Sequence, residues 1–136
     1  MQINERDRSI LEHMVRYCDE IEEYVARFGD SKEAFDNDNA YRAACSLNIL
    51  QIGELSSNLS DSFKQQTEEM PWRDIKTMRN VVAHGYGTLD ADITWNTLTL
   101  PQLKQWDSCF QDRYIVTRTL VLHGLHKRRL YCSAMP

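Results

Sequence analysis

Residues 4–29 read NERDRSILEHMVRYCDEIEEYVARFG, and the spacing of their apolar side chains decides the fold class. Ile10, Leu11, Met14, Val15, Cys18, Ile21, Val25 and Phe28 recur three and four apart, the period of a helix with one buried face. Asn4 is placed to cap the start, with Asp7 three residues on in the sense of a capping box, and Gly29 is placed to end it. The acidic run Asp19, Glu20, Glu22, Glu23 falls on the other side and reads as a solvated face.

Residues 30–39 read as a connector with room for one helical turn. Asp38 or Asn39 can cap a second long helix, whose stripe is Tyr41, Cys45, Asn48, Ile49, Ile52, Leu55 and Leu59. Asn48 is polar in an apolar stripe, so it is expected to be hydrogen-bonded or near a site. Gly53 sits mid-helix, where it costs about 1 kcal/mol relative to Ala. The close approach of another helix would account for it.

A short helical segment is expected around Phe63, and Pro71 opens a third strong helix with Trp72, Ile75, Met78 and Val82 on its apolar face. Gly85 and Gly87 bracket its end. Asp90 can cap a fourth helix carrying Ile93, Trp95 and Leu98; Pro101 kinks or restarts it, and Leu103, Trp106 and Phe110 continue an apolar face. No stretch alternates with period two. The expected fold is all-α, an up-and-down bundle of four to five helices, with a helical domain over residues 1–111. A basic extension over residues 112–136, helical or disordered, follows it.

Composition narrows the functional classes. Hydrophobic residues make up 42% and charged ones 26%, with five Gly and three Pro. No apolar run nears the roughly 18 residues that span a bilayer, and the charged start lacks the apolar stretch of a signal peptide, so a cytoplasmic protein with no membrane contact is expected. Cys18, Cys45, Cys109 and Cys132 form no CxxC pair, and reduced thiols are expected. His123 and His126 have the spacing of a metal pair but no third ligand nearby, so no metal site and no cofactor is expected. Net charge is −4, divided as −6 over residues 1–40, −2 over 41–111 and +4 over 112–136. Contact with RNA must therefore rely on local basic groups.

The candidate site is Arg79-Asn80-Val81-Val82-Ala83-His84-Gly85-Tyr86, where the third helix gives way to a loop. Histidine moves protons near neutral pH, and arginine offers a planar, permanent cation that matches a phosphate. His84 could remove a 2′-OH proton or protonate the leaving oxygen, Arg79 could stabilise charge on the phosphate, and Asn80 could add a hydrogen bond. Such RNA cleavage needs no metal and leaves a 2′,3′-cyclic phosphate. On an ideal helix, positions five apart lie about 140° apart, so Arg79 and His84 do not share a face. Either a loop swings His84 back or the site is composite; a symmetric dimer would supply two Arg and two His. The plain alternative makes Arg79 a surface charge, His84 a helix-end residue beside the C-terminal dipole and Tyr86 a packing aromatic.

Four segments resemble, in order, the HepT-like branch of the HEPN superfamily: Leu50-Gln-Ile-Gly-Glu-Leu, Met70-Pro-Trp-Arg-Asp-Ile, Met78-Arg-Asn-Val-Val-Ala-His-Gly-Tyr-Gly and Leu89-Asp-Ala-Asp-Ile-Thr-Trp. The resemblance covers roughly residues 5–111, and Arg-x4-His-x-Tyr with a polar residue after the Arg is its most specific part. It implies a helical bundle, a homodimer and a metal-independent ribonuclease toxin, with Arg79, Asn80 and His84 in the active site. It also implies a nucleotidyltransferase antitoxin that attaches AMP to Tyr86; a bulky anion two residues from His84 would repel an RNA phosphate. The competing function is a non-catalytic helical module that binds a nucleotidyltransferase partner or a nucleotide.

Overall fold

The computed structural model describes residues 3–84, 91–99 and 104–112. Their helices are α1 (Glu5–Phe28), α2 (Lys32–Asn37), α3 (Asn39–Asn58), α4 (Asp61–Gln66), α5 (Trp72–His84), α6 (Ala91–Thr99) and α7 (residues 104–112). Five are of ordinary length and α2 and α4 are single short pieces, which agrees with the expected all-α bundle. Gly85, Tyr86, Gly87, Asp90, Pro101, Leu103 and residues 113–136 lie outside the described residues. None of the described helices is long and apolar enough to cross a membrane.

Local chemistry sets the helix ends. Asn4 accepts from the Asp7 N–H at 2.7 Å, and Asp38 from the N–H groups of Ala40 and Tyr41 at 2.9 and 3.2 Å. Gly29 closes α1 at φ 116°, a backbone region that favours glycine. Ser31 caps α2, the short helical piece for which the 30–39 connector has room, and Ser60 caps α4. Arg42 of α3 reaches back to the carbonyls of Phe35 and Asp36, tying the end of α2 to the second long helix.

The two longest helices run antiparallel. Phe28 stacks on Tyr41, Asn48 donates to Glu20 and to the Tyr17 carbonyl, and the Ser60 hydroxyl and N–H both donate to the buried Asp7 carboxylate. Pairs 28–41, 20–48 and 7–60 thus close the hairpin rung by rung. Leu11, Met14, Cys18 and Ile21 fill the seam from one side and Tyr41, Cys45, Ile49 and Ile52 from the other. Asn48 is thereby explained by α1 rather than by the site, and Glu20 belongs to the interface although the sequence pattern put it on the solvated face. Burial holds Cys18 and Cys45 as thiols, pushing the Cys45 pKa up to about 12 and raising that of Cys18 as well.

A tight turn then starts α5. Thr67 is fully buried, and the Trp72 indole N–H donates to its carbonyl and hydroxyl at 3.1 and 3.2 Å. Pro71 gives its carbonyl to the Ile75 N–H, as a helix-opening proline should. Ile75 and Val82 are buried, and Trp72 stacks on Phe110 of α7. Because α5 starts beside α4, past the end of α3, and lays Arg79 on Gly53, it runs back antiparallel along α3. Helix α6 sits on α2 through Trp95 against Phe35 and Lys32 paired with Asp92. One expectation changes in α6: Ile93, placed in its apolar face, is 40% exposed, while Thr94 is buried beside Trp95. Packing against Phe35 of the short α2 selects the Trp95 side of the helix, and the separation of Ile93 and Trp95 by two residues carries Ile93 away from it.

Asp107 of α7 brings its carboxylate within 4.8 Å of those of Asp19 and Glu22 on α1. Burial raises its carboxyl pKa, and Glu22 and Asp19 push the same way against one stabilising hydrogen bond from Gln111. A raised native value means that the folded state binds this proton more tightly, so stability grows as the pH falls from the native value towards the unfolded one. Asp107→Asn keeps an acceptor for Gln111 and removes the charge. Its Tm at pH 7 should exceed that of the unsubstituted chain, and the gain should shrink as the pH falls through that window; thermal melts across pH 4–7 would check both.

Candidate functional site

The site grows from the contact between α3 and α5. Gly53 has no side chain, and a Cβ at that position would collide with Cβ and Cγ of Arg79 and lie 3.5 Å from its Cα. The mid-helix glycine therefore marks a close helix approach, as its cost implied, and the residue it faces is the candidate arginine. Ser46, about 20° from Gly53 around the α3 axis, is also small and buried. The Ser56 and Ser57 hydroxyls both donate to the Gly53 carbonyl, at 2.7 and 3.1 Å.

Arg79 is fixed at both ends. Gly53 receives the base of its side chain, and Glu54 accepts from its Nε at 2.6 Å and pairs with the guanidinium. Asn80 accepts from Nη1 at 2.9 Å. The Arg79 side chain as a whole remains 37% exposed, so the held cation still reaches the surface. Glu54 is the participant that sequence reasoning missed. Its only signal was position: it follows the glycine that marks the helix contact.

His84 is the last residue of α5 and is exposed. Helix α5 stays regular to this point, so no loop swings His84 back towards Arg79. The two residues keep the separation of an ideal helix, about 140° around the axis and about 7.5 Å along it. Asn80 and His84, four apart, share a side. The structure thus joins Arg79, Asn80 and Glu54, leaves His84 on the adjoining outer face, and does not describe Tyr86. Among the described residues, the other close acidic group is Asp19, Glu22 and Asp107, which lies on α1 and α7 rather than here.

The all-α bundle, with Arg79, Asn80 and Glu54 clustered across α5 and α3, defines the class as a small helical-bundle protein. The chain belongs to the HepT-like family: the profile described as "Ribonuclease HepT-like" matches residues 14–108, which include all of α3 and α5. It is 31% identical over 100 residues to a protein of Caldanaerobacter subterraneus subsp. tengcongensis named "Putative RNase TTE0752", covering 72% of this chain and 88% of that one. It is 29% identical over 99 residues to "Probable ribonuclease HepT" of Thermococcus cleftensis, covering 71% and 88%. No solved structure gives a significant match.

The Gly53 contact makes a direct prediction. Gly53→Ala improves helix propensity yet forces α3 and α5 apart, and overpacking of this kind costs about 1–3 kcal/mol. Urea unfolding should show a lower midpoint with an unchanged slope; a midpoint at or above the original would mean that the contact is not tight.

Proposed function

We propose that this chain is a metal-independent endoribonuclease that acts in the cytoplasm as the toxin of a toxin–antitoxin pair. The observation that carries this reading is a partly exposed arginine held by Glu54 and Asn80, on the same helix as an exposed histidine at its end. The family and the names of both relatives point the same way.

The chemistry follows from the residues. Attack of a 2′-oxygen on the adjacent phosphorus forms the new P–O bond and breaks the bond to the 5′-oxygen. One proton must leave the 2′-OH and another must reach the departing oxygen, while Arg79 and Asn80 steady the charge on the phosphate. One imidazole serves both transfers poorly in a single step. The regular helix through His84 favours a composite site, in which a homodimer sets two copies of Arg79, Asn80 and His84 across one cleft. Leu47, 52% exposed, lies on the same side of α3 as Glu54 and two turns nearer the His84 end. It offers an apolar contact for the second protomer beside the site.

Regulation falls to Tyr86. A nucleotidyltransferase antitoxin would attach AMP there, and the added phosphate would repel RNA from His84 and Arg79.

Purified protein should cleave single-stranded RNA in EDTA and leave 2′,3′-cyclic ends. His84→Ala should lose at least about 100-fold in rate, the usual scale of a missing general acid or base. Undiminished cleavage by His84→Ala would sink its role. Intact mass after co-expression with a neighbouring nucleotidyltransferase should rise in AMP-sized steps, and Tyr86→Phe should stay unmodified; an unchanged mass in the Tyr86 protein would remove the regulatory claim.

A further inference from the structure

The acidic balance of the chain leaves open how it holds a polyanion, and α5 supplies an answer. Within a chain of net charge −4, this helix carries Arg73, Lys76 and Arg79 against Asp74 alone. Taken at 100° per residue, Arg73, Thr77, Asn80 and His84 fall within about 60° of arc, and Lys76 lies about 40° beyond. Ile75 and Val82, which face the core, lie on the opposite side. Arg73, Lys76, Thr77 and His84 are exposed and Asn80 is half-buried.

Within the bundle, Arg8 pairs with Glu5, Lys32 with Asp36 and Asp92, and Arg79 with Glu54. Arg73 and Lys76 meet no carboxylate among the described residues, so their charge is available to an external anion without first displacing an internal one. Among the described residues Arg6, Arg16, Arg27, Lys64 and Lys104 also meet no carboxylate, so what sets Arg73 and Lys76 apart is their place on the same outward side of α5 as Asn80 and His84. Arg73 lies eleven residues before His84, about 16 Å along the helix axis, which is farther than a single phosphate at the site can reach.

We propose that the outward face of α5, from His84 back to Arg73, is the track that holds the RNA strand beside the cleaved bond, with Arg73 and Lys76 bound to its phosphates. This deepens the ribonuclease reading and rests on it. In-line attack by the 2′-oxygen requires a nucleotide free of regular A-form stacking, so the strand on the track is single. The exposed face presents no aromatic ring, since Trp72 is turned onto Phe63 and Phe110. The track therefore grips the backbone and adds affinity without reading bases.

The test uses the full chain with two oligoribonucleotides of unrelated sequence. A fully 2′-O-methylated version reports binding, and the unmodified strand reports cleavage. Arg73→Gln combined with Lys76→Gln should lower the slope of log K against log salt by about 1.4, at about 0.7 per lost phosphate contact on a single strand. Binding should weaken about equally for both sequences, and KM should rise far more than kcat falls. Lys104→Gln, which removes one positive charge from an exposed position of α7, should leave the slope alone. If the unsubstituted chain cleaves RNA and the double variant keeps both slope and KM, the track is overturned. An unsubstituted chain that binds with the expected slope loss in the variant, yet never cleaves, upholds the track and overturns the ribonuclease reading. No binding by the unsubstituted chain overturns both.

Discussion

The contact of Gly53 with Arg79 is the constraint on which the rest of the arrangement depends. A helix pair normally meets through interdigitated side chains at 8–10 Å between axes. Here the α3 backbone itself receives the stem of an arginine. The arginine is consequently fixed from its Cβ outward, and only its outer torsions remain to be settled by Glu54 and Asn80. Glu54 is half-exposed, so the pair contributes little to global stability. Its effect is local, holding a planar cation at a set angle on the bundle surface.

That contact also explains the unusual character of α3. The helix is buried on two adjoining faces. Tyr41, Cys45, Asn48, Ile49 and Ile52 form one face towards α1, while Gly53 meets α5, with the small buried Ser46 about 20° from it around the axis. Large side chains on both faces would hold α5 farther out and carry Arg79 away from Glu54. The size gradient around α3 thus sets both the core and the place of the site.

Most of the bundle was legible in the sequence because its signals are local. The stripes of α1, α3 and α5, the caps at Asn4 and Asp38, the stop at Gly29 and the start at Pro71 each depend on neighbours within a few residues. Gly53 could be read too, since its cost in a helix demanded a reason. Glu54 could not, because its partner lies 25 residues away and any exposed glutamate looks alike in sequence. The solvated reading of Glu20 failed for the same reason, its partner Asn48 being 28 residues distant. The orientation of α6 was hidden because a short helix with Ile93, Trp95 and Leu98 has no face of its own until Phe35 selects one. At the candidate site, residue types and spacing were enough to single out Arg79, Asn80 and His84. The regular course of α5 through His84 needed coordinates.

The antiparallel pairing of α1 and α3 has a kinetic consequence. Its rungs at 28–41, 20–48 and 7–60 enclose loops of increasing length, so each closure shortens the span left for the next and limits the added entropy. A hairpin that zips outward from α2 in this way has low contact order and favours rapid folding. The contact that seats Arg79 is as local as these rungs, since Arg79 and Glu54 lie 25 residues apart and Glu20 and Asn48 lie 28 apart, so α5 can close on α3 without a longer loop.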